Sequence, residues 1–350
     1  MIIKNSTYLE NFDENLPLTV VAEVSANHEG SFETAKKIID LASRAGANAV
    51  KFQTYTADSI SLDSQENDFV LPVDSPWGRF GSFYKLYSNS YTPREWHKEL
   101  FTYTTSLGLI PFSSPFSESD VDFLETIDCP FYKLASPEIN HLPLIRAIAK
   151  TDKSILISLG TASESQLTKA IAEFRSISKA KIIVMQCESE YPASDTNSNL
   201  ILLKALKQDY NLVVGFSDHT IGSKAATIAT ALGAKVIEKH ITLNSGNEAI
   251  DGFFSADEKF FSEYCEEIRK TEKILGKTVF RSSNEITSNP KQRSIYPTRN
   301  LIAGQVVSEA DFKVVRPGYS LSPEFFGFIS GKKLTRDIRK GERITLKDFH

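Results

Sequence analysis

Between residue 18 and about residue 276, short apolar runs rich in β-branched residues alternate with longer stretches of helical period. The short runs are apolar throughout, as strands covered on both faces of a parallel sheet are. They predict strands at Val20–Val24, Ala49–Thr54, Leu109–Ser114, Phe131–Ser136, Ser154–Leu159, Ile182–Cys187, Val213–Ser217 and Val236–His240. A helix-like stretch follows each. SFETAKKIIDLASRAG opens on a serine cap and closes at Gly46. TPREWHKELFTYTTSLG closes at Gly108, and SESQLTKAIAEFRSI and GSKAATIATALG follow the same grammar. Eight β/α units predict an α/β protein, a (β/α)8 TIM barrel. A doubly wound open sheet is the alternative, but it seldom needs eight units, and no GxGxxG follows the first run.

Two segments break the alternation. From Tyr55 to Tyr91 runs a long insertion rich in Asp, Ser and aromatics, among them Trp77, Phe80, Phe83, Tyr84 and Tyr87. A loop this long inside a compact domain is usually either functional or disordered. Its rings predict an ordered cover over the active-site face, with peripheral packing as the plainer reading. Residues 277–289, KTVFRSSNEITSN, are polar and read as a linker between a barrel domain, 1–276, and a small domain, 290–350. The small domain holds a repeat. TRNL at Thr298–Leu301 aligns with TRDI at Thr335–Ile338, and the match continues through Gly304/Gly341, Val307/Ile344, Ser308/Thr345, Asp311/Asp348 and Phe312/Phe349 at one offset. Two copies of one turn-and-strand unit are implied. So short a segment carries a marginal core, and docking onto the barrel is expected.

Composition narrows the function. The 350 residues are 41% hydrophobic and 24% charged, an ordinary globular balance. A net charge of −4 leaves no basic footprint for nucleic acid, so an anionic substrate would be held by a local cluster. Three cysteines, Cys129, Cys187 and Cys265, include no CxxC pair and argue for a reducing compartment. MIIKNSTYLENFDENL lacks the apolar core of a signal peptide, and no run approaches the roughly 20 apolar residues of a membrane span. A soluble cytoplasmic protein without membrane or nucleic-acid partners is expected.

TIM-barrel active sites lie at the C-terminal ends of the strands. Those ends carry Glu23; Lys51 and Gln53; Ser113 and Ser114; Lys133 and Ser136; Ser158; Cys187 with Ser189 and Tyr191 beyond; Ser217, Asp218 and His219; and Glu238, Lys239 and His240. Branched apolar side chains normally fill a barrel, so structure alone does not require eight polar ends. Two lysines and several hydroxyls suit a ligand carrying phosphate and carboxylate. His219 and His240, on neighbouring strands, suit a divalent metal whose shell water or substrate completes, as an open Lewis-acid site requires. His28, in SANHEG, is a further candidate for substrate contact, whereas His97, His141 and His350 read as structural or solvated. Glu23 reads equally as a base and as an interior carboxylate paired to a lysine.

AEVSANHEG, KFQTYTADS, YKLASPEIN, SLGTA, CESEYP, GFSDHT and GAKVIEKHITL, in this order and spacing, resemble the sialic acid synthase family of phosphoenolpyruvate-dependent nonulosonate synthases. VVRPGYSLSPEFF and GKKLTRDIRKGERIT resemble that family's antifreeze-like (SAF, β-clip) domain. WGRFGSFYKLYSNSYTPREWHKELF and SANHEG look most like its pseudaminic acid branch, and EINHLPLI resembles a segment of spore-coat polysaccharide synthases. Two motifs depart from the common pattern. AIDGFFSADE stands where sialic and legionaminic members carry a GPDH-type motif, with Asp251 matching its aspartate and Gly252 replacing the following His. CESEYP departs from the CTS/CTN form around Ser189.

The resemblance implies roles. His219 and His240 would ligate Mn2+, with Mg2+ or Co2+ as alternatives. Lys51, Ser114, Lys133, Ser136, Ser158, Ser189 and Ser217 would cradle phosphoenolpyruvate. Gln53, Tyr191 and Asp251 would contact the sugar, and Glu23, with the two lysines, would take a catalytic part. Arg316, in VVRPG, would reach into a partner's barrel within a domain-exchanged homodimer. The implied reaction condenses phosphoenolpyruvate with 2,4-diacetamido-2,4,6-trideoxy-altrose and releases phosphate. An N-acetylneuraminate or legionaminate synthase is the alternative in the same class. A Schiff-base aldolase using Lys133 and a non-catalytic sugar-binding protein stand outside it.

Overall fold

The computed structural model describes residues 17–244, 249–276 and 290–350. Eight parallel strands close into a barrel: β1 (Thr19–Glu23), β2 (Ala49–Thr54), β3 (Ile110–Pro115), β4 (Tyr132–Leu134), β5 (Ile155–Ser158), β6 (Ile182–Cys187), β7 (Val213–Asp218) and β8 (Val236–His240). β8 returns to pair with β1 at Val21↔Glu238 and Glu23↔His240, which establishes the barrel over the open sheet. The strands follow the apolar runs to within one residue except at β4. There the run Phe131–Ser136 is longer than its ladder, because Ser136 opens a 3-10 turn, Ser136–Asn140, in which Pro137 has no N–H for a ladder.

Caps set the helices. Ser31 accepts a hydrogen bond from the Thr34 amide, and the helix Phe32–Ala45 ends at Gly46, whose φ of 91° glycine adopts without strain. Ser117 with Asp120 and Ser163 with Gln166 form capping boxes on the helices Glu118–Glu125 and Glu164–Arg175. The main core lies between strands and helices. Phe52 of β2, for example, stacks on Phe101 of the helix Arg94–Ser106, at 5.7 Å. Its strand neighbours Lys51 and Gln53 point the opposite way, into the barrel. The insertion is ordered, with helices at Ala57–Ile60 and Phe83–Ser90 and 3-10 turns at Asn67–Phe69 and Gly78–Phe80.

The described residues divide into two compact units at Gly276. The linker expected at 277–289, and the N-terminal stretch 1–16 read as lacking a signal peptide, lie outside the described residues. In the second unit β9 (Ser294–Pro297) pairs antiparallel with β10 (Phe312–Val315). The sequence repeat is a structural repeat. Arg299 bonds Asp311 through Nε at 2.8 Å, and Arg336 bonds Asp348 at 2.7 Å. Each aspartate also closes a capping box, on Ser308 and Thr345 respectively. Leu301 and Ile338 face each other in a bridge, and the repeat pairs Val307/Ile344 and Phe312/Phe349 share one apolar core. Among the described residues no helix is long and apolar enough to cross a membrane.

Candidate active site

Alternation along each strand sorts the polar ends. Glu23, Lys51, Gln53, Lys133, Ser158, Ser217, Glu238 and His240 meet at or beside one central cavity of about 300 Å3. The expectation that all the polar strand ends converge is corrected at three positions, because side chains on successive residues point to opposite faces. Ser113 bonds Thr54 at 2.6 Å, and Thr54 bonds His97 Nε2 of the surrounding helix at 2.8 Å. Asp218 accepts from the Tyr264 hydroxyl at 2.8 Å, and Lys239 lies 3.4 Å from the same carboxylate, over the Tyr264 ring. These three support the barrel from outside.

The floor of the cavity is a buried four-charge cluster. Lys51 Nζ lies 2.9 Å from Glu23 Oε2 and 3.5 Å from Glu238 Oε1, and Lys133 Nζ lies 3.2 Å from Glu238 Oε1. Ser217 donates to the same oxygen at 3.0 Å. Burial pushes the Glu238 carboxyl up, but the ammonium groups of Lys133 and Lys51 outweigh it and hold it down at about 2. Among the described residues Glu23 has only Lys51 as an ion-pair partner, and burial raises its carboxyl, with the Glu238 charge adding to the rise. Burial also draws the Lys133 amine down. Of the two carboxyls, Glu23 is therefore the readier to take a proton. Glu238 carried no role in the motif reading, although two inward lysines in an apolar barrel call for buried counter-charges.

His219 and His240 stand on neighbouring strand ends with ring centroids 5.3 Å apart. Burial lowers His219 to about 4 and His240 well below its ordinary value, so both are neutral near pH 7, the state that ligates metals. His219 Nδ1 lies 2.7 Å from the Glu188 carbonyl, which makes that nitrogen the N–H and leaves Nε2 with its lone pair. His240 Nδ1 is buried with no hydrogen-bond partner among the described residues. The pair fits a divalent cation. No cluster of three His, Cys, Asp or Glu occurs among the described residues, so further ligands would come from water or substrate.

Several segments complete the walls. Ser136 lines the cavity and bonds Ser189 at 3.1 Å, with Gly160 pressed against both hydroxyls, where a Cβ would collide. Ser114 Oγ, level with Gln53 across the β2–β3 ladder, is buried without a partner among the described residues. Tyr191 lies over the His219 ring at 4.4 Å, beside Phe254. The insertion contributes Tyr55, Trp77, Phe83, Leu86 and Tyr87, whereas its Phe80 and Tyr84 do not line the cavity. Asp251 and Ser25, the latter absent from the motif reading, close the side next to Gln53, with Ser25 Oγ 2.5 Å from Asp251 Oδ2. His28 is not in the lining. It is buried with its edge on Trp96 and bonds Thr92 at 3.3 Å. Arg316 is exposed in the second unit, in a hollow with Lys313, Lys340 and Arg343.

This arrangement has relatives. A profile of the NeuB family matches residues 38–280, and one of the SAF domain matches residues 292–350. The pseudaminic acid synthase of Campylobacter jejuni serotype O:2 is 38% identical over 340 residues, 97% of this chain and 98% of its own. The chain belongs to the NeuB family. The pseudaminic acid synthase of Helicobacter pylori is 35% identical over 95% of this chain and 98% of its own. The solved N-acetylneuraminic acid synthetase of Leptospira borgpetersenii, in complex with citrate, superposes with a TM-score of 0.69 at 29% identity, covering 78% of this chain and 90% of its own. This NeuB-family chain is thus a nonulosonate synthase, a carbon–carbon bond-forming transferase, as its motifs imply.

Proposed function

We propose that the chain is a pseudaminic acid synthase that joins phosphoenolpyruvate to the open-chain form of 2,4-diacetamido-2,4,6-trideoxy-altrose and releases phosphate. The carrying observation is a single cavity with a floor of lysines and hydroxyls beneath an aromatic wall. Lys51 and Lys133 would hold the carboxylate and phosphate. Ser136, Ser158 and Ser217, with Ser114 and Ser189 behind them, would add hydrogen bonds of adjustable direction. Tyr55, Phe83, Leu86 and Tyr87 suit the methyl of a 6-deoxy sugar better than a hydroxymethyl, whose hydroxyl would lose its hydrogen bonds against them. Gln53, Tyr191 and Asp251 would bond the polar edge of the sugar. Arg316 would complete the site from the partner in a domain-exchanged homodimer.

His219 and His240 would hold the divalent cation, Mn2+ or in its place Mg2+ or Co2+, which when bound would make the sugar aldehyde more electrophilic. The lysines hold the enol so that its carbon 3 faces the aldehyde carbon, and this proximity is the largest saving available. Carbon 3 attacks, forming the new carbon–carbon bond. Water adds at carbon 2, where positive charge develops, and Glu23 would take its proton. The bond from carbon 2 to the phosphate oxygen then breaks, the hydroxyl on carbon 2 gives its proton to the departing phosphate and becomes the ketone, and the first water proton ends on the former aldehyde oxygen.

The test is phosphate release by the purified protein with phosphoenolpyruvate, Mn2+ and a panel of sugars. The highest kcat/KM is expected for the altrose derivative, with none after chelation and recovery on adding Mn2+. A higher kcat/KM for N-acetylmannosamine would move the chain to the sialic acid reading. Full turnover after exhaustive chelation would remove the metal. A Schiff base at Lys133 would be trapped by borohydride in the presence of substrate, whereas the proposed reaction leaves nothing to trap.

A further inference from the structure

Ser25 holds an unusual backbone, with φ at +48°. Of the six non-glycine residues with positive φ among the described residues, four are Asn or Asp, which tolerate it locally. Of the other two, Glu29 is exposed, whereas Ser25 is buried in the cavity wall. Glycine would adopt this conformation freely, so a serine here points to a task for its hydroxyl.

The hydroxyl joins two groups already placed at the sugar side. Its oxygen accepts from Gln53 Nε2 at 3.0 Å and its hydrogen goes to Asp251 Oδ2 at 2.5 Å. The second hydrogen of the Gln53 amide goes to Glu23 Oε1 at 2.8 Å. A primary amide has two N–H donors and one carbonyl acceptor. Both donors are engaged within the wall, and among the described residues nothing donates to Gln53 Oε1. Without Ser25, one N–H of Gln53 would be free to face the ligand and Asp251 would lose a bond that holds it.

We propose that Ser25 is a positioning residue for sugar recognition. It engages the second amide hydrogen of Gln53 and anchors Asp251, so that this wall offers the sugar acceptors only, the Gln53 carbonyl and the Asp251 carboxylate. The partner they select is a hydroxyl or amide N–H of the sugar, not an acceptor. The inference rests on the reading of the cavity as a synthase site given above.

Two variants separate the hydroxyl from the backbone. Ser25→Gly removes the hydroxyl and relieves the positive φ, and Ser25→Ala removes the hydroxyl and keeps the strain. Each should raise KM for the sugar about tenfold, the worth of one hydrogen bond in a dry site, while KM for phosphoenolpyruvate stays within about twofold of wild type. In a Gln53→Ala background, Ser25→Gly should add only about threefold, because one of the two groups it orients is gone while Asp251 remains. Wild-type sugar KM in Ser25→Gly, a rise confined to phosphoenolpyruvate, or full additivity with Gln53→Ala would overturn the proposal. A wild-type enzyme silent with every sugar would count against the reaction reading instead. Ser25 is then judged by the side-chain amide protons of Gln53, which should exchange slowly in the wild type and faster in Ser25→Gly. Equal exchange in both would sink it.

Discussion

The residues with the plainest sequence signal are charged or imidazole groups inside apolar runs. Lys51, Lys133, His219 and His240 stand out because nothing in a barrel's packing asks for them. Ser25 does not, because φ is invisible in a sequence, and the partnering of Glu238 does not, because its place between two lysines depends on how two other strands, β2 and β4, are set against its own. Gly160 belongs to the same hidden class. Gly160→Ala should raise KM for phosphoenolpyruvate at least about tenfold with the fold retained, since its methyl would displace the Ser136 and Ser189 hydroxyls. Unchanged phosphoenolpyruvate kinetics would remove that pair from the cradle. His28 and His97 serve the fold, and burial holds both at about 4. The unfolded chain binds their protons from pH 6.5 downward and the folded chain does not, so their contribution is lost as pH falls from about 6.5 to about 4. Each accounts for on the order of 3 kcal/mol across that window. Urea midpoints that stay level from pH 7 to pH 4.5 would contradict their neutral burial.

Whole elements were more legible than their limits. A strand buried on both faces announces itself as an apolar run, but the end of its ladder depends on hydrogen-bond geometry, so β4 stops at Leu134 although the run continues to Ser136. The insertion resisted assignment for the opposite reason. Its helix Phe83–Ser90, FYKLYSNS, is short and aromatic-rich, and it packs by ring contacts such as Tyr55 on Tyr87 at 5.9 Å. That element carries the prediction about sugar choice. Replacing Phe83 with Ser should cut kcat/KM for the 6-deoxy sugar by about tenfold and leave N-acetylmannosamine within about twofold, because one methyl against an apolar wall is worth on the order of 1 kcal/mol. An equal loss for both sugars would show that the helix shapes the cavity without reading the methyl group.

At the scale of the whole molecule, the eight units and the two-domain plan were legible from periodicity and from the repeat. The role expected of Arg316 came from the family resemblance alone, because a second copy leaves no trace in one chain's pattern. If Arg316 acts across a dimer, Arg316→Ala and His240→Ala subunits, each inactive, should regain activity on mixing, since one site of a mixed dimer keeps both residues. No recovery after demonstrated subunit exchange would place the arginine outside any shared site. The four-charge floor has a further consequence, for the rate at which ligand arrives. Two carboxylates beside two ammonium groups cancel when seen from a distance, and the molecule around them carries a net charge of −4. The floor by itself therefore casts no attractive field into solution, and in the metal-free enzyme an incoming trianion meets the lysines only after it has diffused in by chance. Its encounter rate should be that of an unsteered small molecule, changing by less than about threefold between low and physiological salt, as stopped-flow mixing would measure.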